Sequence, residues 1–167
     1  GAWRCRVRSR HVPALRVPGG ADGEISHPQT ETLRPGECAG MLVGGTLTQL
    51  VGSLGTPYAF DPPQGCVLFV DEVAERPYRL DRLLMQLKLS GLLRRASGVV
   101  FGELPRCEEP DGSIDVRTVV RESLADFPGP VLFGLPSGHT AGATLTLPLG
   151  VRARVVANGR PLLVIEE

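Results

Sequence analysis

Two acids and a histidine occupy places in this chain where chemistry is possible. Asp71-Glu72 end the apolar run Cys66-Val67-Leu68-Phe69-Val70, and His139 follows a glycine in Pro136-Ser137-Gly138-His139. A carboxylate held against one imidazole nitrogen fixes tautomer and ring orientation, leaving the other nitrogen to accept a proton. That is the acid–base half of a nucleophile–His–acid triad. A third feature is Gly44-Gly45, between an apolar segment and a helix-forming one. Exposed amides at such a pair can cradle an anion or part of a substrate. The preferred reading is a tight turn that needs positive φ.

Other chemistries are set aside on spacing. Cysteines stand at 5, 38, 66 and 107, with no C-x-x-C and no histidine nearby, so no zinc site is expected. Cys66 reads as a small core residue. Glu108, Glu109 and Asp111 lie in a Pro- and Gly-bounded stretch where nothing fixes ligand geometry, so they read as a solvated loop. Neither a metal nor a cofactor is expected.

The bulk composition narrows the classes further. The 167 residues carry 18 Lys+Arg against 18 Asp+Glu, a net charge of zero that argues against nucleic-acid or membrane-surface binding driven by global charge. Aromatics at 5% make base-stacking platforms a poor fit. No run approaches the ~18 apolar residues of a transmembrane helix, and the opening residues carry no signal-like apolar stretch. A reduced, cytoplasmic protein is the expectation.

The elements that must position these residues follow from periodicity. Residues 1–36 alternate apolar and arginine from Trp3 to Arg10, as an edge strand would, then become rich in Pro, Gly and polar residues. They read as an arm or linker, partly ordered, with residues 37–167 forming the folded domain. Within it, residues 38–43 read as a strand and 46–51 as a helix capped by Thr46. A buried strand spans 66–70, and a helix starts at Pro77 with Leu80, Leu83, Leu84 and Leu87 on one face. Glu75 and Arg79 form an i,i+4 pair at its start. Strands at 99–101 and 130–133 flank a helix over 115–126 capped by Asp115. Residues 151–156 and 160–165 form an antiparallel hairpin through Asn158-Gly159. Strands alternating with helices imply right-handed crossovers and a small parallel sheet, and the hairpin adds an antiparallel one. The fold class is α/β with mixed sheets.

Five motifs, in order from about residue 40 to 150, resemble the C-terminal domain of the LD-carboxypeptidase family of serine peptidases. Gly44-Gly45-Thr46-Leu47 resembles that family's G-G-N-L, and Gly55-Thr56-Pro57-Tyr58 its G-T-P-[YW]. The segment from Leu68 to Arg82 resembles L-F-L-E-D-V-x-E-x-P-Y-R-[IL]-D-R. Pro136-Ser137-Gly138-His139 resembles P-x-G-H, and Leu147-Pro148-Leu149-Gly150 the closing L-P-L-G.

The resemblance implies a three-layer β/β/α domain of the swivelling type, with a small, mainly parallel central sheet and an antiparallel second sheet. It implies a cytosolic hydrolase with a Ser–His–Glu triad, no metal, and a tendency to dimerise. The substrate it implies is a murein tetrapeptide, losing its terminal D-alanine during peptidoglycan recycling. Carried over, the family histidine falls on His139 and the family glutamate on Asp71, with Glu72 the alternative acid because the motif's E-D stands here as Asp71-Glu72. Thr46 replaces the motif's Asn. No serine lies in the family's G-[FLY]-S-D elbow, which belongs to an N-terminal nucleophile domain. The chain is therefore expected to be half an enzyme, inactive alone. A peptidase resembling the microcin C immunity enzyme is one alternative, disfavoured because residues 73–77 leave little room for a loop bearing a base-stacking aromatic. A non-catalytic binding or structural module of the same fold is another.

Overall fold

A computed structural model describes residues 23–166. The element order is β1 (Glu24–Ile25), β2 (Glu31–Arg34), β3 (Glu37–Thr46), α1 (Leu47–Gly52), β4 (Cys66–Asp71), α2 (Pro77–Leu89), β5 (Ala96–Gly102), α3 (Val116–Ser123), β6 (Val131–Leu135), β7 (Arg152–Val156) and β8 (Leu162–Ile165). The strands form one eight-stranded mixed sheet in the order β1-β8-β7-β3-β4-β5-β6-β2. Parallel pairing joins β3, β4, β5 and β6. Antiparallel pairing adds β7, β8 and β1 on one side and β2 on the other.

β3 is the joint between the two parts. Its residues 37–41 pair with β7 and its residues 42–46 with β4. The antiparallel layer is thus a continuation of the parallel sheet, curled over it. Two cores result. On one face α1, α2 and α3 cover Leu68, Val70, Val99, Phe101 and Phe133. On the other, Leu42, Val67, Phe69, Val100 and Leu132 meet Val155 and Leu163 from the curled strands. β4 alternates its side chains between the two cores, and all six of its residues are buried. That explains its unbroken apolar run, because a strand covered on both faces has no wet side to mark with polar residues. β7 has one wet face, and Arg152 and Arg154 alternate with buried Ala153 and Val155.

Local readings differ from the structure at three places. Residues 24–34, assigned to an arm, contain β1 and β2, which pair with β8 and β6 at the two sheet edges. Strands of two and four residues are too short to show a period. Gly44-Gly45 is the end of β3 and not a turn. Gly44 is needed because a Cβ there would lie 1.8 Å from the Phe69 carbonyl oxygen. Finally, Thr46 precedes α1 without making a side-chain cap bond. The arginine-rich segment from Trp3 to Arg10 lies outside the described residues. Asp115 does cap α3, accepting the Arg117 N–H.

Candidate functional site

The parallel strands β4, β5 and β6 all end on the same edge, where open α/β sheets gather ligands and catalytic groups. β4 delivers Asp71 and Glu72 there, and the loop after β6 delivers His139. Neighbouring residues on an extended strand point to opposite faces, so the two acids part company. Asp71 turns toward the β6 loop. Its Oδ2 lies 2.6 Å from His139 Nδ1, and its Oδ1 accepts the His139 backbone N–H at 3.0 Å. Glu72 turns toward α1 instead. Its Oε2 accepts the Thr48 N–H at 2.8 Å and the Thr48 hydroxyl at 2.6 Å, while Oε1 accepts the Val73 N–H at 3.0 Å. The cap that Thr46 does not provide comes from Glu72.

Both carboxylates are buried, and every bond they make is charge-assisted. The difference lies in what each orders. Glu72 holds a helix start and a strand end, both backbone. Asp71 grips backbone and side chain of one residue, so the imidazole has its position and its tautomer set by one group. With Nδ1–H donating to Asp71, Nε2 is the proton acceptor. The His139 side chain is 47% exposed, and among the described residues Nε2 has no hydrogen-bond partner.

The loop that carries His139 is built around the acid. Gly138 has φ +77°, and a Cβ there would fall 2.4 Å from Asp71 Cγ. Only glycine lets the backbone lie against that carboxylate. Gly102 of β5 approaches from the other side, where a Cβ would sit 3.3 Å from Asp71 Oδ1. Downstream, the Ser137 hydroxyl donates to the Leu145 carbonyl at 2.8 Å, and the Ala141 N–H donates to Glu103 Oε2 at 2.9 Å.

An open cleft of about 480 Å³ lies in front of His139, lined by Val73, Pro105, Arg106, Thr140 and Thr144 among others. The loops beside it are constrained. Ala74, Leu104 and Arg106 all have left-handed backbones, with φ of 57°, 52° and 62°. Each such conformation costs a non-glycine residue about 1–2 kcal/mol and persists only where surrounding contacts enforce it. Here Ala74 N–H donates to the Pro105 carbonyl, tying the two loops together.

Gly44 and Gly45 close β3 beside this edge, paired with Phe69 and Val70. Gly44 is explained by the close approach of β4, and Gly45 has open space where a Cβ would be. Glu103 and Arg106 are site residues that the sequence reading did not single out. Glu103 carried a usable signal, since it follows a buried strand as Asp71 does. Arg106 carried none, lying in what reads as an ordinary surface loop. Of the loop acids, Glu109 pairs with Arg76 and Asp111 accepts the Ser113 N–H. Among the described residues no group of three or more His, Cys, Asp or Glu is placed to hold a metal ion. None of their helices is long and apolar enough to cross a membrane.

A mixed sheet with helices on one face and an acid–imidazole pair at its strand ends defines the class of domain. Comparison with known proteins supplies the family: residues 39–155 match the LD-carboxypeptidase C-terminal domain, and the chain belongs to that family. It is 35% identical to the probable murein peptide carboxypeptidase of Bacillus subtilis over 75% of this chain and 39% of that protein. The muramoyltetrapeptide carboxypeptidase of Oxalobacter formigenes superposes with a TM-score of 0.72 at 32% identity, over 87% of this chain and 50% of its own. The microcin C7 immunity protein MccF, in complex with glutamyl sulfamoyl guanosine, also superposes at 0.72, with 27% identity over 83% of this chain and 41% of its own. The chain thus spans half or less of these relatives' lengths.

Proposed function

We propose that this chain supplies the base and the orienting acid of a serine-type LD-carboxypeptidase, with His139 as base, Asp71 as its orienting acid, and the nucleophilic serine on a segment outside this chain. The observation that carries this reading is the two-point grip of buried Asp71 on His139, at 2.6 Å to the ring and 3.0 Å to the backbone. In that arrangement Nε2 takes the proton of a serine that attacks the carbonyl preceding the terminal residue. Asp71 stabilises the imidazolium, which then protonates the leaving amine. Water, activated by the same nitrogen, releases the acyl group. Glu72 takes no part, since its oxygens are engaged at α1.

The substrate class is a murein tetrapeptide or similar small peptide that loses a terminal D-alanine, supported by the murein peptide carboxypeptidase among the relatives. The fold does not separate this from the MccF-type reading, because both superpose equally well. The short loop between β4 and α2 favours the murein peptide, leaving little room for an aromatic that stacks on a base. Gly44-Gly45 is retained as a weaker candidate for substrate contact, through Gly45.

The test is release of D-alanine from the tetrapeptide. The chain alone should release none, since among the described residues no serine is hydrogen-bonded to Nε2. A complete protein, in which a nucleophile domain precedes this one, should turn over and lose that turnover on His139→Ala. Turnover by the chain alone, or a complete enzyme indifferent to His139→Ala, would sink the assignment.

A further inference from the structure

We propose that Arg106 makes the cleft beside His139 a carboxylate-binding site, its guanidinium taking the free carboxylate of a peptide's last residue. The identity of the peptide rests on the reading above; the presence of the anion site does not.

Charge within the cleft is the first support. Of the residues lining it, Arg106 alone carries a fixed charge, and none is an acid. Of the nearby carboxylates, Asp71 is held by His139, Glu72 by Thr48 and Val73, and one oxygen of Glu103 by the Ala141 N–H. Arg106 itself makes no ion pair or hydrogen bond among the described residues. Its loop neighbour Glu109 is drawn instead to Arg76, at 2.6 Å. An exposed guanidinium that lines the cleft and makes no ion pair among the described residues is arranged to receive an anion from outside.

Backbone geometry is the second. Arg106 stands between Leu104 and Cys107, which are 1% and 0% exposed and anchor the loop on both sides. Leu104 and Arg106 are both left-handed, and the Pro105 carbonyl is tied to the β4 loop through Ala74. The guanidinium is therefore carried on a constrained support.

Chemistry supplies the third. In the last residue of a peptide, the free carboxylate carbon is three bonds from the scissile carbonyl carbon, a span of under about 4 Å. A group that reads the free carboxylate must share one cleft with the base that serves the scissile bond. Arg106 and His139 do so.

The probe is N-acetyl-D-alanine, with its methyl ester as the uncharged control, titrated into the 167-residue chain. NMR signals of residues 138–142 and the His139 ring report binding. The acid should shift them, and the ester should bind about tenfold more weakly. Arg106→Gln should weaken the acid about tenfold and leave the ester unchanged, with Arg106→Lys in between because it keeps charge but loses the fork. Raised salt should weaken the acid alone. Arg106→Asn, a residue that tolerates the left-handed backbone, guards against an effect of misfolding. Equal binding of acid and ester, indifference to Arg106→Gln, or no binding of the acid overturns the site. Failure of the peptidase reading is separate: a complete enzyme that binds the acid through Arg106 yet releases no D-alanine overturns that reading and leaves this site standing.

Discussion

Asp71 and Glu72 are adjacent, both buried at one strand end, yet they serve regions with opposite characters. On the α1 side, Glu72 meets only donors that need to be held still: the Thr48 N–H and hydroxyl and the Val73 N–H. On the β6-loop side, Asp71 meets a half-exposed imidazole whose second nitrogen faces a cleft. The first region is satisfied within itself. The second has a titratable nitrogen and a guanidinium left over, with strained backbone around them. A carboxylate's role here is set by whether its partners complete their bonding inside the fold.

The sharpest way to break the comparison is to neutralise each acid in turn. In a complete enzyme, Asp71→Asn should lower kcat by roughly 10⁴, about 5.5 kcal/mol of transition-state stabilisation, because the amide favours the wrong tautomer. Glu72→Gln should leave kcat within about threefold, since Glu72 touches no reacting group. Comparable losses at the two positions would erase the distinction. On stability the order should reverse. Denaturant unfolding of Glu72→Ala should show a loss of about 2–3 kcal/mol, as a buried helix start loses its cap and three donors go unmet.

Gly138→Ala probes the region around His139. A methyl group 2.4 Å from the Asp71 carboxyl carbon, on a backbone at φ +77°, should cost about 1–3 kcal/mol. Because the strain falls on the Asp71 grip, the His139 ring signals should move as well. A variant that unfolds earlier but keeps those signals would detach the glycine from the site.

A smaller effect concerns pH. Burial pushes the Cys107 thiol up from its ordinary 9.0 to about 11, with Glu72 and Glu108 adding repulsion. Burial also raises Cys38 and Cys66. The folded chain keeps these protons where the unfolded chain releases them. This contribution to stability is whole below about pH 9, declines as pH rises from there toward 11, and then levels off. Cys107→Ser should flatten that decline in urea titrations; an unchanged slope would count against the thiol. The least effect should come from Glu75→Ala, which removes the exposed 3.3 Å pair with Arg79 and should leave the urea midpoint unchanged.

Much of this was readable from residue order. The buried strand over 66–70, the leucine face of α2, the Asp115 cap and the hairpin through Asn158-Gly159 are local patterns, set by side-chain period and turn chemistry within a few residues. The acids and the histidine could be named as candidates for the same reason. Edge strands β1 and β2 could not, because their partners lie about a hundred residues or more away and they are too short to carry a period.

By itself, then, the sequence determined the types of residue available at each strand end and the α/β class that would bring those ends together. Only the tertiary structure shows which of the two acids touches His139. The choice turns on strand direction and on which loop lies over which face, and both depend on contacts between distant segments. The same is true of Gly44, whose requirement is the Phe69 carbonyl, and of Gly138, whose requirement is the Asp71 carboxylate. It is true again of Arg106, which becomes a candidate ligand-binding group only when the fold leaves it lining the His139 cleft with no ion pair among the described residues.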